Sequence, residues 1–362
     1  MIKKLKDICS TVSRCLLLNK LERNNGPYPL FGAKGIMKYI DFYDYENDYL
    51  SVIKWGAGVG RITRHPGHSS ILGTMQGLMP KEGIDIDWFY YCLCSMHLER
   101  HASVTTVPNL YFKDYGENLV NVPSLQEQKA ISEYLSKISN CIDKCKKQLI
   151  LLDEIIMSKF YEMFGDPELN SNNYLQKPFD ELGLLARGKS KHRPRNDPKL
   201  LGGPYPLIQT GDVANADLFI KKYSSTYSEF GLQQSKIWPK GTLCITIAAN
   251  IAESAILTFD ACFPDSVVGF TPNKEVNIFF IKYQLEALKR YLDSQATAVA
   301  QKNLNLEKLS SALFIIPPKT DQESFAIFVK KVYGTKDCIE KRITSLIELL
   351  DKKMDELFGG NK

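Results

Sequence analysis

The stretch GAGVG at positions 56–60 is the first candidate for chemistry, because glycine-rich loops can cradle a phosphate group. It lacks the Gly-Lys-Ser/Thr ending of a P-loop, and its spacing is GxGxG where the dinucleotide motif has GxGxxG. The flanking runs SVIKW and RITRH have the composition of strands. We therefore predict a glycine-rich turn between two strands, and a stand-alone nucleotide-dependent enzyme using this turn is the alternative.

The histidines and cysteines give little support for a catalytic or metal site. His97 and His101 lie four residues apart on a predicted helix, but no carboxylate or cysteine signature accompanies them, so a surface pair is the simpler interpretation. The sequence contains no His-Glu-x-x-His, Gly-x-Ser-x-Gly or Asn-Pro-Pro-aromatic motif. Its nine cysteines include no Cys-x-x-Cys pair, which favours reduced thiols and a cytoplasmic location. We predict no metal, no cofactor and no catalytic residue on this chain.

A basic strip, RGKSKHRPRNDPK at 187–199, is the strongest candidate for binding. It has one acid, Asp197, and two prolines that keep it extended. Such a strip suits contacts to the phosphates of a DNA duplex, although a solvated charged loop is an equal alternative. A weaker counterpart surrounds the glycine-rich turn. The basic residues of the strip are Arg187, Lys189, Lys191, Arg193, Arg195 and Lys199, and those near the turn are Lys54, Arg61, Arg64 and His65.

Two copies of one plan make up the chain. Gly-Pro-Tyr-Pro-Leu occurs at 26–30 and again 177 residues later at 203–207. GLMP at 77–80 matches GFTP at 269–272 with an offset of 192, and Phe-Gly at 164–165 recurs 194 residues later. The growing offset gives the second copy about 17 extra residues, most of them before GFTP. Loops absorb such insertions while framework elements keep their register.

Each copy closes with a predicted helix of roughly 40 residues, about 60 Å long. Apolar residues follow a heptad pattern in both helices, and a lysine occupies the same position of each pattern, Lys159 and Lys353. Because such a seam needs a partner, we predict that the helices pair as an antiparallel intramolecular coiled coil; packing of each helix on its own domain is the alternative. The predicted seam residues are Ile131, Leu135, Ile138, Ile142, Leu149, Leu152, Ile156, Val329, Val332, Ile339, Ile343, Leu346, Leu350 and Leu357.

These patterns predict an α+β chain with pseudo-two-fold symmetry. It contains two tandem mixed α/β domains, each followed by a long helix. The apolar run CLLL near the N-terminus is too short for a secretory signal, and no run approaches the length of a membrane span. The predicted segments are 1–122, 123–165, 166–315 and 316–362.

Several stretches, in order and twice over, resemble the specificity subunits of type I restriction-modification systems. GKSKHRPRNDPKLLGGPYPLIQTGDV is similar to the start of a target recognition domain in that family. QKNLNLEKLSSALFIIPPKTDQ and NLYFKDYGENLVNVPSLQEQKAI resemble the segments that lead into its long helices, and MFGDPELN resembles the junction after the first helix. The resemblance covers nearly the whole chain.

The resemblance implies a subunit that is not itself an enzyme and binds double-stranded DNA. Each recognition domain would recognise one half of a bipartite asymmetric site, and the paired helices would fix the gap between the halves. Two modification (methyltransferase) subunits and the restriction (nuclease and translocase) subunits would be its partners, and the chain would direct their adenine methylation and restriction. These partners would hold S-adenosylmethionine, ATP and Mg. A coiled-coil scaffold without nucleic-acid binding is a further alternative. Our predicted DNA contacts are the basic residues of 187–199 with Gln209 and Thr210, and, in the first domain, Lys34, Arg61, Arg64 and His65.

Overall fold

The computed structural model contains two compact units, which are considered separately below. Unit 1 comprises Met1–Lys147 and Ile339–Lys362, and unit 2 comprises Gln148–Cys338. The four-segment division stays a prediction, because each compact unit takes part of both long helices. The structure describes residues 1–12, 16–103, 106–247, 252–289 and 306–359.

The described residues of unit 1 form three small sheets and several helices. The elements are β1 (Ile2–Lys4), α1 (Leu5–Ile8), β2 (Cys9–Val12), β3 (Tyr28–Gly32), β4 (Gly35–Ile40), β5 (Tyr49–Ile53), β6 (Ile62–His65), β7 (Ser70–Ile71), β8 (Met75–Pro80), α2 (Ile86–Ser95), α3 (Phe112–Tyr115), β9 (Leu119–Asn121) and the start of α4 (Leu125–Phe164). One sheet has the strand order β2-β8-β5-β6, the second β4-β3-β7, and β1 pairs with β9. Asp85 caps helix α2, and its carboxylate accepts a hydrogen bond from the Trp88 amide at 2.8 Å.

Unit 2 repeats this plan with additions. The elements after α4 are β10 (Leu175–Pro178), β11 (Gly183–Arg187), β12 (Leu201–Leu207), α5 (Thr210–Ala214), β13 (Phe219–Ile220), β14 (Ser225–Tyr227), α6 (Glu229–Gln233), β15 (Ile237–Trp238), β16 (Leu243–Thr246), β17 (Ser254–Leu257), β18 (Ala261–Cys262), β19 (Val267–Pro272), α7 (Ile278–Ala287), α8 (Leu306–Ser310), β20 (Leu313–Ile316) and α9 (Lys319–Phe358). The sheets have the orders β11-β19-β16-β17-β13 and β14-β12-β18-β15, and β10 pairs with β20.

Strand register confirms the internal duplication. Both Gly-Pro-Tyr-Pro-Leu segments end in strands, β3 and β12, and each leucine pairs in parallel with a short strand: Leu30 with Ser70, and Leu207 with Cys262. GLMP and GFTP occupy β8 and β19, which lie at equivalent places in their sheets. The shared motif is therefore a framework corner that builds the same fold twice.

The connection after this corner differs between the copies. In unit 1, β3 turns into β4 through Ala33 and Lys34 alone. In unit 2, residues 208–224 separate β12 from β14 and include α5 and β13. This segment accounts for much of the insertion that the growing offset indicated.

The two long helices have the predicted length, 40 residues each. A reciprocal pair of hydrogen bonds between Ser124 and Glu127 caps the start of α4, with Ser124 N donating at 2.9 Å and Glu127 N donating at 3.3 Å. Gly165, with φ 73°, follows its last residue and donates to the carbonyl of Tyr161. Residues close to each terminus of α4 thus determine where this helix begins and ends.

Each unit joins one end of α4 to the opposite end of α9. In unit 1, Leu135 shares a core with Phe358, and Met354 packs against that core. In unit 2, the rings of Phe160 and Phe325 lie 5.7 Å apart. Both contacts have the direction that antiparallel pairing requires, and both also involve the globular core. A continuous coiled coil with pseudo-two-fold symmetry stays a prediction.

The predicted seam residues are buried or half-buried with one exception. Leu357 is 42% exposed, and the adjacent Phe358 is 4% exposed and contacts Trp88 with ring centroids 6.1 Å apart. The placement of Leu357 in the seam was therefore wrong. A straight helix drifts by about 20° per heptad, so the buried face moves away from a strict seven-residue repeat, and at this end it packs on the globular core.

The lysines at or near the predicted seam form ion pairs of two kinds. Lys159 and Lys353 form ion pairs within their own helices, to Glu162 at 2.8 Å and Glu356 at 2.5 Å. Lys336, whose side chain is 4% exposed, instead lies 2.5 Å from the carboxylates of both Asp153 and Asp217. Burial opposes its charge, but the two carboxylates outweigh burial and raise the pKa of Lys336.

We expect Lys336→Ala to lower the free energy of unfolding by about 1–3 kcal/mol, because it empties a packed site and leaves two carboxylates facing each other. The effect stays below that of a fully buried pair because Asp153 and Asp217 are about half exposed. Lys336→Met, which keeps the packed stem, should cost less than Lys336→Ala. Urea unfolding of both variants measures this, and equal losses would contradict the packing contribution.

Candidate nucleic-acid interface

The basic loop, residues 187–199 of unit 2, is fixed to the domain at its start. The Gly188 amide donates to the Val267 carbonyl at 2.9 Å. A Cβ on Gly188 would lie 2.1 Å from the Phe263 carbonyl oxygen, so only glycine fits. The Ser235 hydroxyl donates to the Lys189 carbonyl at 2.9 Å.

The middle of the basic loop is held by side chains. The Gln234 side-chain oxygen accepts hydrogen bonds from the Lys191 amide at 2.6 Å and the His192 amide at 3.1 Å. Asp197 accepts from the Lys199 amide at 3.0 Å and contacts the His192 ring at 2.9 Å. The Lys199 amide and His192 lower the pKa of the Asp197 carboxyl. Hydrogen bonds with the protein's own side chains thus hold the backbone of this loop.

The basic side chains of this loop fall into two groups. Arg193 and Arg195 lie beside Asp265, at 3.7 Å and 2.5 Å, and remain about half exposed. Arg187, Lys189, Lys191 and Lys199 are exposed. The second group gives an anchored backbone four cations that can reach a polyanion, which is the arrangement phosphate contacts need.

Gln209 and Thr210 lie at the start of α5. The Gln209 amide donates to the Asp212 carboxylate at 2.8 Å, and the Gln209 side chain is exposed. Thr210 is half-buried.

Two residues that anchor the basic loop were not predicted from the sequence. Gln234 and Asp265 lie 43 and 70 residues from the loop residues that they contact.

Unit 1 brings part of its predicted set together. Lys34 is exposed in the β3–β4 turn, and the exposed Arg61 donates a hydrogen bond to the Ala33 carbonyl in the same turn. Arg64 instead lies between Asp48, at 3.0 Å, and Asp87. The Gly67 amide and Arg64 lower the pKa of Asp48. Arg64 therefore stabilises the domain, and the carboxylates of Asp48 and Asp87 already neutralise its charge.

His65 does not face solvent. It is 5% exposed, and its Nε2 lies 2.8 Å from the Ser51 hydroxyl and 2.9 Å from that of Thr63. The ring also stacks on Tyr49 with centroids 5.2 Å apart. Placing His65 among the DNA contacts was wrong, because it is a core histidine on the inner face of β6.

Burial lowers the pKa of His65 from 6.5 to about 4. Between these values the unfolded chain takes up a proton that the folded chain refuses, so stability falls as the pH decreases. We expect this to remove about 2–3 kcal/mol between pH 7 and pH 4.5. Urea unfolding at both pH values should show a smaller decrease for His65→Gln than for the native chain, and an identical decrease would contradict this role.

The GAGVG stretch forms the predicted turn. It connects the antiparallel strands β5 and β6, and the Gly60 amide donates to the Ile53 carbonyl at 2.9 Å. Gly60 has φ 83°, and a Cβ there would lie 2.5 Å from the Glu99 amide nitrogen. The stretch is followed by a strand, whereas a phosphate-binding loop leads into a helix N-terminus. Gly60 therefore allows the close approach of two backbone segments, and the stretch serves as a turn.

Within the described ranges, no group of three or more His, Cys, Asp or Glu residues is placed to hold a metal ion. None of the helices in those ranges is both long and apolar enough to cross a membrane.

Comparison with known proteins assigns the family. The model of the type I restriction modification DNA specificity domain matches residues 1–153 and 179–349. The chain belongs to this family. Membership confirms the fold class of two repeated mixed α/β domains, and specificity subunits of type I systems are non-catalytic, as predicted.

Individual relatives that this chain resembles are also specificity subunits of type I systems. The specificity subunit of the type I restriction enzyme EcoprrI from Escherichia coli is 31% identical over 112 residues, covering 30% of this chain and 27% of the relative. That of MjaIX from Methanocaldococcus jannaschii is 23% identical, covering 80% of this chain and 72% of the relative. The crystal structure of a type I S subunit from M. genitalium has a TM-score of 0.58 at 16% identity, covering 99% and 96% of the two chains, and shares the fold.

Proposed function

We propose that this chain is the DNA-specificity subunit of a type I restriction-modification complex, and that each unit binds one half of a bipartite, asymmetric DNA site. The single observation that carries the proposal is the duplicated specificity domain, matched at 1–153 and 179–349. Two similar domains with different loops suit two different half-sites. A single symmetric site would need only one domain and a dimer.

The basic loop of unit 2 is the proposed phosphate-contacting surface. Its exposed Lys189, Lys191 and Lys199 lie on a backbone that hydrogen bonds with Gln234 and Ser235 hold in place, which limits the cost of ordering the loop on binding. Phosphate contacts would position unit 2 on the duplex, and neighbouring side chains such as Gln209 would contact base edges. Lys34 and Arg61 would act in the same way for unit 1.

The proposed partners are two modification subunits and the restriction subunits. A solved structure with the fold of this chain, with a TM-score of 0.53, comes from work on complex assembly of the type I system, which supports an assembly of several subunits. Methyl transfer, cleavage and the cofactors S-adenosylmethionine, ATP and Mg would belong to those partners. The paired long helices would set the gap and offer docking surfaces, and the complex would work in the cytoplasm.

Binding assays with the purified full chain, alone and with its modification subunits, test this proposal against the alternatives. We expect DNA binding whose affinity decreases steeply with salt, and no tight binding of ATP or S-adenosylmethionine by the chain alone. Tight nucleotide binding by the lone chain would favour an enzyme. Absence of DNA binding, both alone and in the assembled complex, would favour a scaffold.

A further inference from the structure

Strands β3 and β4 form a two-stranded ribbon whose base and tip differ in burial. At the base, Leu30 and Ile40 are completely buried. Toward the tip, Ile36, Met37 and Tyr39 are 51%, 44% and 50% exposed. Exposing three large apolar side chains on one short strand costs hydration free energy in the free protein, and such a group marks a surface that contacts a partner.

The ribbon has a bulge at its exposed part. Leu30 pairs with Lys38 and Phe31 pairs with Ile36, so Met37 is the extra residue on β4. A bulge redirects a side chain relative to the regular alternation of a strand, and bulges are frequent beside functional sites. Here the neighbouring side chains Ile36 and Met37 are both exposed, as a ribbon that enters a partner would require.

Charge indicates which partner fits. Residues 32–40 contain Lys34 and Lys38 and no acidic residue. Lys38 is used internally, donating to the carbonyls of Leu21 and Glu22, both at 2.6 Å. Lys34 at the tip is exposed, and Arg61 adds a second exposed cation while bracing the tip through the Ala33 carbonyl. An apolar ribbon with a cationic tip is complementary to a DNA groove, where phosphates surround base edges and thymine methyl groups.

The second copy provides an independent observation. After the equivalent strand β12, unit 2 has residues 208–224 with α5 in place of the two-residue turn. The framework before this connection is the same in both units, as the pairs Leu30 with Ser70 and Leu207 with Cys262 demonstrate. The copies therefore diverge in a segment that lies beside the framework strand and carries exposed side chains.

We propose that the β3–β4 ribbon of unit 1 enters the major groove of double-stranded DNA, with Ile36 and Met37 contacting base edges and Lys34 contacting a phosphate. This inference rests on the proposed function and assigns the specificity-determining residues of one half-site. A two-stranded ribbon has the width that the major groove admits, and apolar side chains distinguish thymine by its methyl group.

Methylation sequencing of cells that express the full chain with its modification subunits tests the inference. The variant is Ile36→Ala with Met37→Ala, and the control is Leu119→Ala on β9, whose side chain has the same 44% exposure as Met37. We expect the double variant to reduce discrimination at one or more positions of a single half-site by about tenfold. The other half-site, the gap and the control should be unchanged.

The outcomes separate the inference from the proposed function. If the native chain directs no split motif, the proposed function fails, and this inference fails with it. If the native motif is present and the double variant methylates the same motif, the inference alone is overturned. If the double variant purifies without the modification subunits, the ribbon contacts a protein partner, and this result would also overturn the inference. If the double variant does not fold, single Ile36→Ala and Met37→Ala variants provide the same comparison.

Discussion

Inserting one heptad into each long helix, after Lys147 and after Cys338, is expected to lengthen the gap between the half-sites by about three base pairs or to abolish recognition. Seven helical residues add about 10 Å, and each base pair adds about 3.4 Å. These positions lie at the boundary between the compact units, so the helix contacts inside each unit are kept. Insertion after Lys159 or Lys353 would instead act next to the core contacts of Phe160 and Phe358.

Methylation sequencing again provides the measurement, with insertion into one helix alone as the control. A single insertion leaves the two seams unequal in length, and we expect it to lose recognition. The paired insertion should leave both half-site sequences as they were. A changed half-site with the original gap would show that the helices do not set the spacing.

Replacing Lys189, Lys191 and Lys199 by glutamine is expected to weaken DNA binding by tenfold or more at physiological salt. The slope of log affinity against log salt should decrease by up to about 2.7, since each phosphate that the protein no longer neutralises removes about 0.9. Because phosphate contacts carry no sequence information, preference among DNA sequences should change little. Fluorescence anisotropy over a range of salt concentrations measures both quantities.

A matched triple variant controls for net charge. Lys222, Lys240 and Lys274 are exposed lysines of unit 2 outside the basic loop, and their replacement removes the same three charges. We expect this control variant to lose less DNA affinity than the basic-loop variant and to leave the salt slope almost unchanged. Equal effects of the two variants would mean that total charge drives binding, with no particular role for the basic loop.

Sequence alone predicted the elements whose causes are local. The heptad spacing predicted α4, and the glycines between two strand-like runs predicted the turn at 56–60. The repeated Gly-Pro-Tyr-Pro-Leu located the framework corner, whose strand register is the same in both copies. Residue spacing along the chain is sufficient to predict each of these features.

The candidate binding residues depend on contacts between residues that are far apart in the sequence. The pattern of charges along the chain does not reveal these contacts. Arg64 meets Asp48 and Asp87 only after the sheet has formed, so its charge looked available in the sequence. His65 lies inside because strand alternation and the stacked Tyr49 place it there. Leu357 is exposed because the helix face that is buried drifts over forty residues. The exposed ribbon was missed because its apolar composition resembles that of any strand.

Methylome sequencing of two otherwise identical strains, one with this gene and one without it, tests whether each unit specifies one half-site, provided that both strains carry the partner genes. We expect a split adenine motif that is methylated with the gene and unmethylated without it. Its two halves should differ in sequence and be separated by a fixed gap. Identical methylation in both strains would contradict the claim that each unit specifies one half-site. A gene-dependent motif that is continuous and symmetric would contradict it as well.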